Sequence, residues 1–252
     1  LGWLREGSIE LLDTGLTAVS QLRSLTGGIA PSERSRSSVV CLGASFTREP
    51  TVLQIPVGAE ASGQPFELRP AHELDLPPGL LSVPEHITFD VGDGEQAHAL
   101  FYPPSNPAAQ GPEGEAPPLL VLSHGGPTAA ARPQLSLDVQ FWTSRGFGVV
   151  DVNYRGSIGY GRAFRNALRD RWGLADVADC VTAAGHLASV GRADPQRMAI
   201  RGGSAGGYTT LCALSMTDRF AAGVSRYGVA DLAALARDTH KFESRYLDRL
   251  VG

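Results

Sequence analysis

From residue 119 onward, short apolar runs typical of buried strands alternate with stretches that have helical spacing. The strand-like runs lie at 119–123, 147–152, 197–201 and 221–225. The helical patterns lie at 135–145, 175–190, 205–216 and 230–239. An alternating strand pair at 85–90 and 96–102 precedes them, with a glycine-containing turn at 92–94. Repeated strand-helix alternation predicts a mostly parallel sheet with helices on both faces.

The first third of the chain has a different pattern. Short strand-like runs at 8–12, 17–20, 39–42 and 51–55 are separated by turn residues and show no helical period. This pattern is typical of antiparallel sheets such as propeller blades or the edge of a sandwich. A proline- and leucine-rich stretch at 71–84 reads as a linker. We therefore expect two domains, 1–75 and 76–252.

Composition excludes several classes of function. The formal net charge is -4, with 22 Lys and Arg against 26 Asp and Glu, which gives no electrostatic attraction for nucleic acid or an anionic membrane. No apolar run approaches the roughly 20 residues of a membrane span, and residues 1–10 do not resemble a secretion signal. The histidines and the three cysteines lack metal-ligand spacing. We expect a cytoplasmic protein without cofactor or metal that binds a small molecule or a peptide.

The strongest chemical motif is at residues 202–207, Gly-Gly-Ser-Ala-Gly-Gly, between a predicted strand and a predicted helix. It fits Gly-x-Ser-x-Gly, in which flanking glycines permit a sharp turn that lifts the serine hydroxyl clear of the sheet. Ser204 is therefore the candidate nucleophile, and the N–H of Ala205 is a candidate donor to the oxyanion. A dinucleotide-binding loop is disfavoured because the sequence has no Gly-x-Gly-x-x-Gly and the turn follows several strands.

A second motif, Ser-His-Gly-Gly-Pro at 123–127, directly follows the most apolar strand. Glycines at a strand's carboxyl end can aim an N–H into a site, and we assign the second oxyanion donor to Gly126. His124 precedes the serine, whereas the general base of this fold follows it, so His124 is interpreted as shaping the loop.

With a third motif at 153–161, Asn-Tyr-Arg-Gly-Ser-Ile-Gly-Tyr-Gly, the sequence from about residue 85 onward resembles the prolyl oligopeptidase family of serine peptidases. It is most similar to the acylaminoacyl-peptidase and dipeptidyl-aminopeptidase branch. Further matches are Arg-Trp-Gly at 171–173, Asp176 and Asp179. The resemblance implies an α/β-hydrolase fold, truncated after about its sixth strand, in which 1–75 are the last part of a β-propeller domain.

The resemblance also implies a function and further site residues. The parent protein would hydrolyse short peptides through an acyl-enzyme on Ser204. Tyr208, Tyr227 and Val229 are candidates for the walls of the substrate pocket. The motif residues Tyr154, Arg155 and Tyr160 are interpreted as structural.

A serine nucleophile needs a histidine base and an acid that orients it. His240 is the only histidine after Ser204, and it falls where the family has a helix or loop. The resemblance implies that the triad Asp and His follow two further strands, so we expect them outside this chain. The hydrolase domain, 76–252, would then lack its C-terminal portion, and the chain alone would be inactive.

Two other functions remain open. A carboxylesterase can use the same fold, although such enzymes tend to have a third glycine at the position of Pro127. A non-catalytic binding module that resembles a hydrolase is the alternative from another class. The oligomeric state is not indicated by the sequence.

Overall fold

The computed structural model describes residues 2–5, 8–25, 37–57, 64–69, 76–77, 79–238, 245 and 247–251. The chain divides into two compact units. One comprises Leu1–Pro77 with Arg132–Leu137, and the other comprises Pro78–Ala131 with Asp138–Gly252. The linker predicted at 71–84 lies partly outside the described residues.

The first unit contains antiparallel strands, as its sequence pattern predicts. Strand β1 (Gly2–Arg5) pairs with β2 (Ser8–Leu11). A second sheet has the order β3 (Ala18–Leu25), β4 (Ser37–Ser45), β5 (Arg48–Val57) and β6 (Phe66–Arg69). Alternate residues of β4 and β5 point inward, so that Cys41, Leu53 and Ile55 form a small buried core. Each of the four predicted runs lies on an observed strand; β1 and β6 were not predicted.

The second unit is built on a six-stranded sheet of order β12-β11-β9-β10-β8-β7. Its strands are β7 (Glu85–Gly92), β8 (Glu95–Tyr102), β9 (Leu119–Ser123), β10 (Gly148–Asn153), β11 (Met198–Gly203) and β12 (Ala222–Arg226). Strands β9 to β12 run parallel, whereas β7 and β8 are antiparallel additions at one edge. The central strands are almost wholly apolar because helices on the two faces remove both sides from water.

The helices of this unit follow its parallel strands, with two helices between β10 and β11. They are α1 (Leu137–Thr143), α2 (Gly161–Asn166), α3 (Ala175–Ser189), α4 (Ala205–Met216) and α5 (Leu232–Asp238), followed by a short 3-10 turn at Leu247–Arg249. The α/β fold inferred from the sequence is confirmed. Helix α1 is shorter than the predicted 135–145, since the chain leaves the helix at Ser144 and reverses at Gly146, where φ is 87°. No helix in the described part of the chain is long and apolar enough to cross a bilayer.

Parallel strands deliver their carboxyl ends to one edge of a sheet. The three sequence motifs follow β9, β10 and β11, which are neighbours in the sheet. The topology therefore brings residues 123–127, 153–161 and 202–207 to the same edge.

Candidate active site

Ser204 occupies a sharp turn between β11 and α4. Its backbone has φ 54° and ψ -122°, a conformation that L-residues adopt only when surrounding structure enforces it. The Ser204 N–H donates to the Arg226 carbonyl at 3.1 Å, and its carbonyl accepts from the N–H groups of Gly207 at 3.0 Å and Tyr208 at 3.2 Å. The residue itself is exposed. The main chain thus holds the serine in place and leaves its side chain open to solvent.

Glycines allow the close approaches that this turn needs. A Cβ atom on Gly202 would overlap the Gly206 carbonyl, and one on Gly206 would overlap the Ser123 carbonyl at the end of β9. A Cβ on Gly207 would lie 2.5 Å from the Gly228 Cα. Helix α4 therefore begins in backbone contact with β9, which requires glycine on its sheet-facing side.

The loop after β9 lies beside Ser204. A Cβ on Gly125 would be 3.6 Å from the Ser204 Cβ and 3.3 Å from the Gly203 carbonyl oxygen. Gly126 has φ 124°, and the Gly126–Pro127 peptide is cis. Within the described part of the chain, the N–H groups of Ala205 and Gly126 have no hydrogen-bond acceptor. Both sequence-predicted oxyanion donors therefore lie in segments that adjoin Ser204, and their N–H groups are free to donate to a ligand oxygen.

Buried side chains tie this loop to the loop after β10. The Tyr154 hydroxyl lies 3.0 Å from the His124 carbonyl and 2.9 Å from the Pro127 carbonyl. The His124 ring stacks on the Tyr154 ring with centroids 4.3 Å apart. Its Nδ1 lies 2.8 Å from the Gly125 carbonyl, and its Nε2 lies 2.8 Å from the Ser157 hydroxyl. Both imidazole nitrogens are therefore engaged by the loops.

His124 is consequently unsuited to act as the base for Ser204. Burial lowers the pKa of its imidazole to about 4, which outweighs the opposing effect of the Gly125 carbonyl. Among the described residues, no side chain is hydrogen-bonded to the Ser204 hydroxyl. His240 lies outside the described residues.

The three candidate pocket residues occupy different environments. The Tyr227 side chain is 78% exposed, has φ 39° and places its hydroxyl beside Gly203. Val229 packs against the main core, and its N–H lies 3.4 Å from the Ser204 carbonyl. Tyr208 is half-buried and packs on Trp172, with ring centroids 4.8 Å apart. The structure thus brings Tyr227 and Val229 to the serine turn and directs Tyr208 toward Trp172.

A buried ion pair anchors the loop after β10. Asp179 of α3 accepts from the Arg155 N–H at 2.6 Å and from the guanidinium Nη2 at 2.8 Å. Arg155 Nη1 also meets Glu95 at 2.5 Å. The Arg155 side chain is 6% exposed and that of Asp179 is fully buried. Sequence reasoning named both residues but not their pairing, which no local pattern indicates for residues 24 positions apart.

A second buried carboxylate links α3 to the nucleophile helix. Asp176 accepts from the Thr209 hydroxyl at 2.5 Å and from the Gly173 N–H at 2.6 Å. Burial raises the pKa of Asp176 to about 6, although these two hydrogen bonds lower it. Its contacts are to α3, α4 and the turn before α3, so Asp176 stabilises the position of α4.

In the part of the chain that the structure describes, acidic, histidine and cysteine side chains do not assemble into a metal site. Across the described residues, no group of three or more of these side chains could hold a metal ion. The two buried carboxylates near the site, Asp176 and Asp179, are engaged by Thr209 and Arg155. The described arrangement is an exposed serine, with acceptor-free N–H groups on Ala205 and Gly126 in the adjoining segments.

The chain is similar to known proteins in both sequence and structure. The sequence profile of the prolyl oligopeptidase family matches residues 133–252. A solved structure of a puromycin-hydrolysing peptidase from Mycobacterium tuberculosis is 42% identical, with a TM-score of 0.87 over 97% of this chain and 36% of that one. The acylamino-acid-releasing enzyme of Arabidopsis thaliana is 35% identical over 48% of this chain and 16% of its own length.

A second relative found by sequence matches a larger share of the chain than the Arabidopsis enzyme does. The dipeptidyl peptidase family member 6 of Caenorhabditis elegans is 36% identical over 65% of this chain and 21% of its own length. This chain therefore spans between 16% and 36% of the length of each of these three proteins.

Proposed function

Because this chain belongs to the prolyl oligopeptidase family, we propose that the protein is a serine peptidase that hydrolyses short peptides through an acyl-enzyme on Ser204. The observation that carries the proposal is the strained, exposed Ser204 at the β11–α4 turn, beside the glycine loop after β9. Backbone strain of this kind is characteristic of a nucleophile elbow.

In the first step the Ser204 Oγ attacks the peptide carbonyl carbon while its proton passes to a histidine. The carbonyl oxygen becomes an oxyanion, and the N–H groups of Ala205 and Gly126 donate to it. The C–N bond then breaks and the histidine gives its proton to the departing amine. Water next attacks the acyl carbon and loses a proton to the histidine. The bond between the acyl carbon and the Ser204 Oγ then breaks, the histidine returns the proton to Oγ, and the peptide acid leaves.

As the resemblance implies, the histidine and its acid are assigned to residues that are not in this chain. The low pKa of His124, about 4, makes its imidazole a poor proton acceptor, and both of its nitrogens are already engaged. We therefore expect the 252-residue polypeptide alone to show negligible turnover. Measuring the hydrolysis of an aminoacyl-nitroanilide by the pure polypeptide tests this expectation, and turnover lost on Ser204→Ala would contradict it.

The substrate class follows from the pocket and the domain arrangement that we propose. Tyr227, Val229 and Tyr208 would line the pocket for the side chain next to the cleaved bond. Residues 1–75 would belong to a β-propeller that restricts entry to short peptides, and 76–252 to the peptidase domain. Puromycin is a useful additional probe, because the Mycobacterium tuberculosis relative is named for its hydrolysis.

The test uses the product of the complete reading frame that contains this sequence. We expect a fluorophosphonate probe to label Ser204, and Ser204→Ala to lose labelling and more than about a thousandfold in kcat. Ser189→Ala is a matched control, because Ser189 lies at the exposed end of α3. Labelling that persists in Ser204→Ala would contradict the nucleophile assignment. A higher kcat/KM for simple esters than for matched peptide substrates would favour a carboxylesterase instead.

A further inference from the structure

The loop that carries Gly126 is fixed by groups on the adjacent loop after β10. Three of its carbonyls, those of His124, Gly125 and Pro127, are within hydrogen-bond distance of either the Tyr154 hydroxyl or the His124 imidazole. The carbonyls are thus turned toward Tyr154 and His124. The Gly126 N–H has no acceptor among the described residues.

Tyr154 is the centre of this arrangement. It is fully buried, and its hydroxyl reaches two carbonyls on either side of the Gly125–Gly126 pair. A buried hydroxyl with two carbonyls in reach of its single proton restrains the loop more strongly than packing alone, because turning both carbonyls away would deprive it of its main-chain acceptors. Restraint at both sides of Gly126 limits how far its N–H can rotate.

The His124 ring adds further contacts between the two loops. It stacks on Tyr154, and its Nε2 lies 2.8 Å from the Ser157 hydroxyl, whose oxygen also lies 2.7 Å from the Tyr154 carbonyl. Ser157 is fully buried. Further along, the Ile158 N–H donates to the Ala129 carbonyl at 2.8 Å, so the two loops remain paired beyond the ring.

We propose that the Tyr154 hydroxyl, supported by His124 and Ser157, is a positioning group that holds the Gly126 N–H in place for the oxyanion. This role rests on the proposed function. Tyr154 acts through the main chain and does not touch the substrate. An oxyanion donor acts on charge that develops in the transition state, so a misplaced donor lowers kcat and leaves ground-state binding unchanged.

The experiment replaces the hydroxyl alone with Tyr154→Phe in the product of the complete reading frame. Two inhibitors of one peptide sequence separate the effects: an aldehyde, which forms a tetrahedral adduct with the serine, and the corresponding alcohol, which does not. We expect a kcat roughly tenfold lower and an aldehyde Ki roughly tenfold higher, a fraction of the loss seen when a donor is removed outright. The KM and the alcohol Ki should stay within about twofold.

Tyr102→Phe is the matched control. Tyr102 is also buried, in β8, and lies in neither the loop after β9 nor the loop after β10. This variant should keep kcat and both Ki values within about twofold of wild type. Ser157→Ala provides a second test, which decides if Tyr154→Phe does not fold. It should show the same selective loss of kcat and aldehyde affinity, by roughly threefold.

The outcomes separate this inference from the function on which it rests. An inactive Ser204→Ala, together with a folded Tyr154→Phe whose kcat and aldehyde Ki match wild type, would overturn the positioning role alone. So would a loss of stability in Tyr154→Phe with unchanged kinetics, because that is the signature of a purely structural hydroxyl. Full turnover by Ser204→Ala would overturn the proposed function and the positioning role together.

Discussion

The two loops that meet at the candidate site are held in different ways. The turn that carries Ser204 is defined by steric exclusion: Gly202 and Gly206 have no room for a Cβ, and main-chain hydrogen bonds fix the serine. The loop that carries Gly126 is defined by buried side chains, chiefly Tyr154 and His124. The first arrangement is insensitive to pH and intolerant of added atoms, whereas the second depends on protonation and on individual hydroxyl groups.

The largest effect is expected from an added methyl group in the serine turn. In Gly206→Ala the new Cβ would overlap the Ser123 main-chain carbonyl, which cannot move without breaking the sheet. We expect the free energy of unfolding to fall by more than about 4 kcal/mol, or the protein not to fold. Chemical denaturation measures this loss.

Gly185→Ala is the control for this change. Gly185 lies within α3, and a Cβ there would meet nothing within 4 Å. The variant should gain up to about 1 kcal/mol, because alanine favours helix. A Gly206→Ala protein as stable as wild type would show that steric exclusion does not define the turn that carries Ser204.

An intermediate effect is expected from the protonation of His124. Its pKa in the folded protein is about 4, below the ordinary value near 6.5, so at pH values between these the unfolded chain binds a proton that the folded chain does not. Stability from this group is full above pH 6.5 and is lost as the pH falls toward 4. The expected loss between pH 7 and pH 4.5 is about 2 kcal/mol.

Urea unfolding of the wild type and of His124→Gln at both pH values measures this contribution. The raised pKa of Asp176 acts in the opposite direction, since its folded form binds a proton more readily than the unfolded chain over a similar range. The difference between the two proteins isolates His124, because Asp176 is common to both. If that difference is the same at pH 7 and pH 4.5, protonation of His124 does not change the stability of the protein, and the prediction is wrong.

The smallest effect is expected from releasing strain at Ser204. Glycine adopts positive φ without penalty, so Ser204→Gly should stabilise the fold by about 1 kcal/mol while abolishing activity. Ser215→Gly, at an ordinary helical position in α4, should instead cost about 0.5–1 kcal/mol. Thermal unfolding distinguishes the two, and destabilisation of both to the same extent would show that the turn stores no strain.

Much of the fold was predictable because its signals are local. The run at 119–123 is apolar enough to require burial, and residues 202–207 combine glycines with a serine in a strand-to-helix setting. Helix α2 was missed because it has only six residues and begins at Gly161, which carries no helical signal. The pairing of Arg155 with Asp179 was also beyond prediction, since it depends on how α3 crosses the sheet.

The candidate site also has features that the sequence predicts and features that it does not. Ser204, Ala205 and Gly126 could be named because their chemistry requires particular residues at particular strand ends. The links from Tyr154 and His124 to the carbonyls of residues 124, 125 and 127 could not be, because a hydrogen bond between loops leaves no periodic trace in sequence. The order of His124 and Ser204 along the chain excluded His124 as base, and its engaged ring nitrogens support the same interpretation.

Ser204 is held by hydrogen bonds to main-chain groups of Arg226, Gly207 and Tyr208 rather than by side chains. Tyr227, by contrast, reaches the site only through its side chain, and most of that side chain faces solvent. Exchanges at Tyr227 can therefore reshape what the serine meets without moving the serine itself. In evolutionary terms, the position of the proposed nucleophile depends on the main chain, whereas substrate preference depends on side chains. A descendant can therefore acquire a new substrate by point mutation and keep the same reaction.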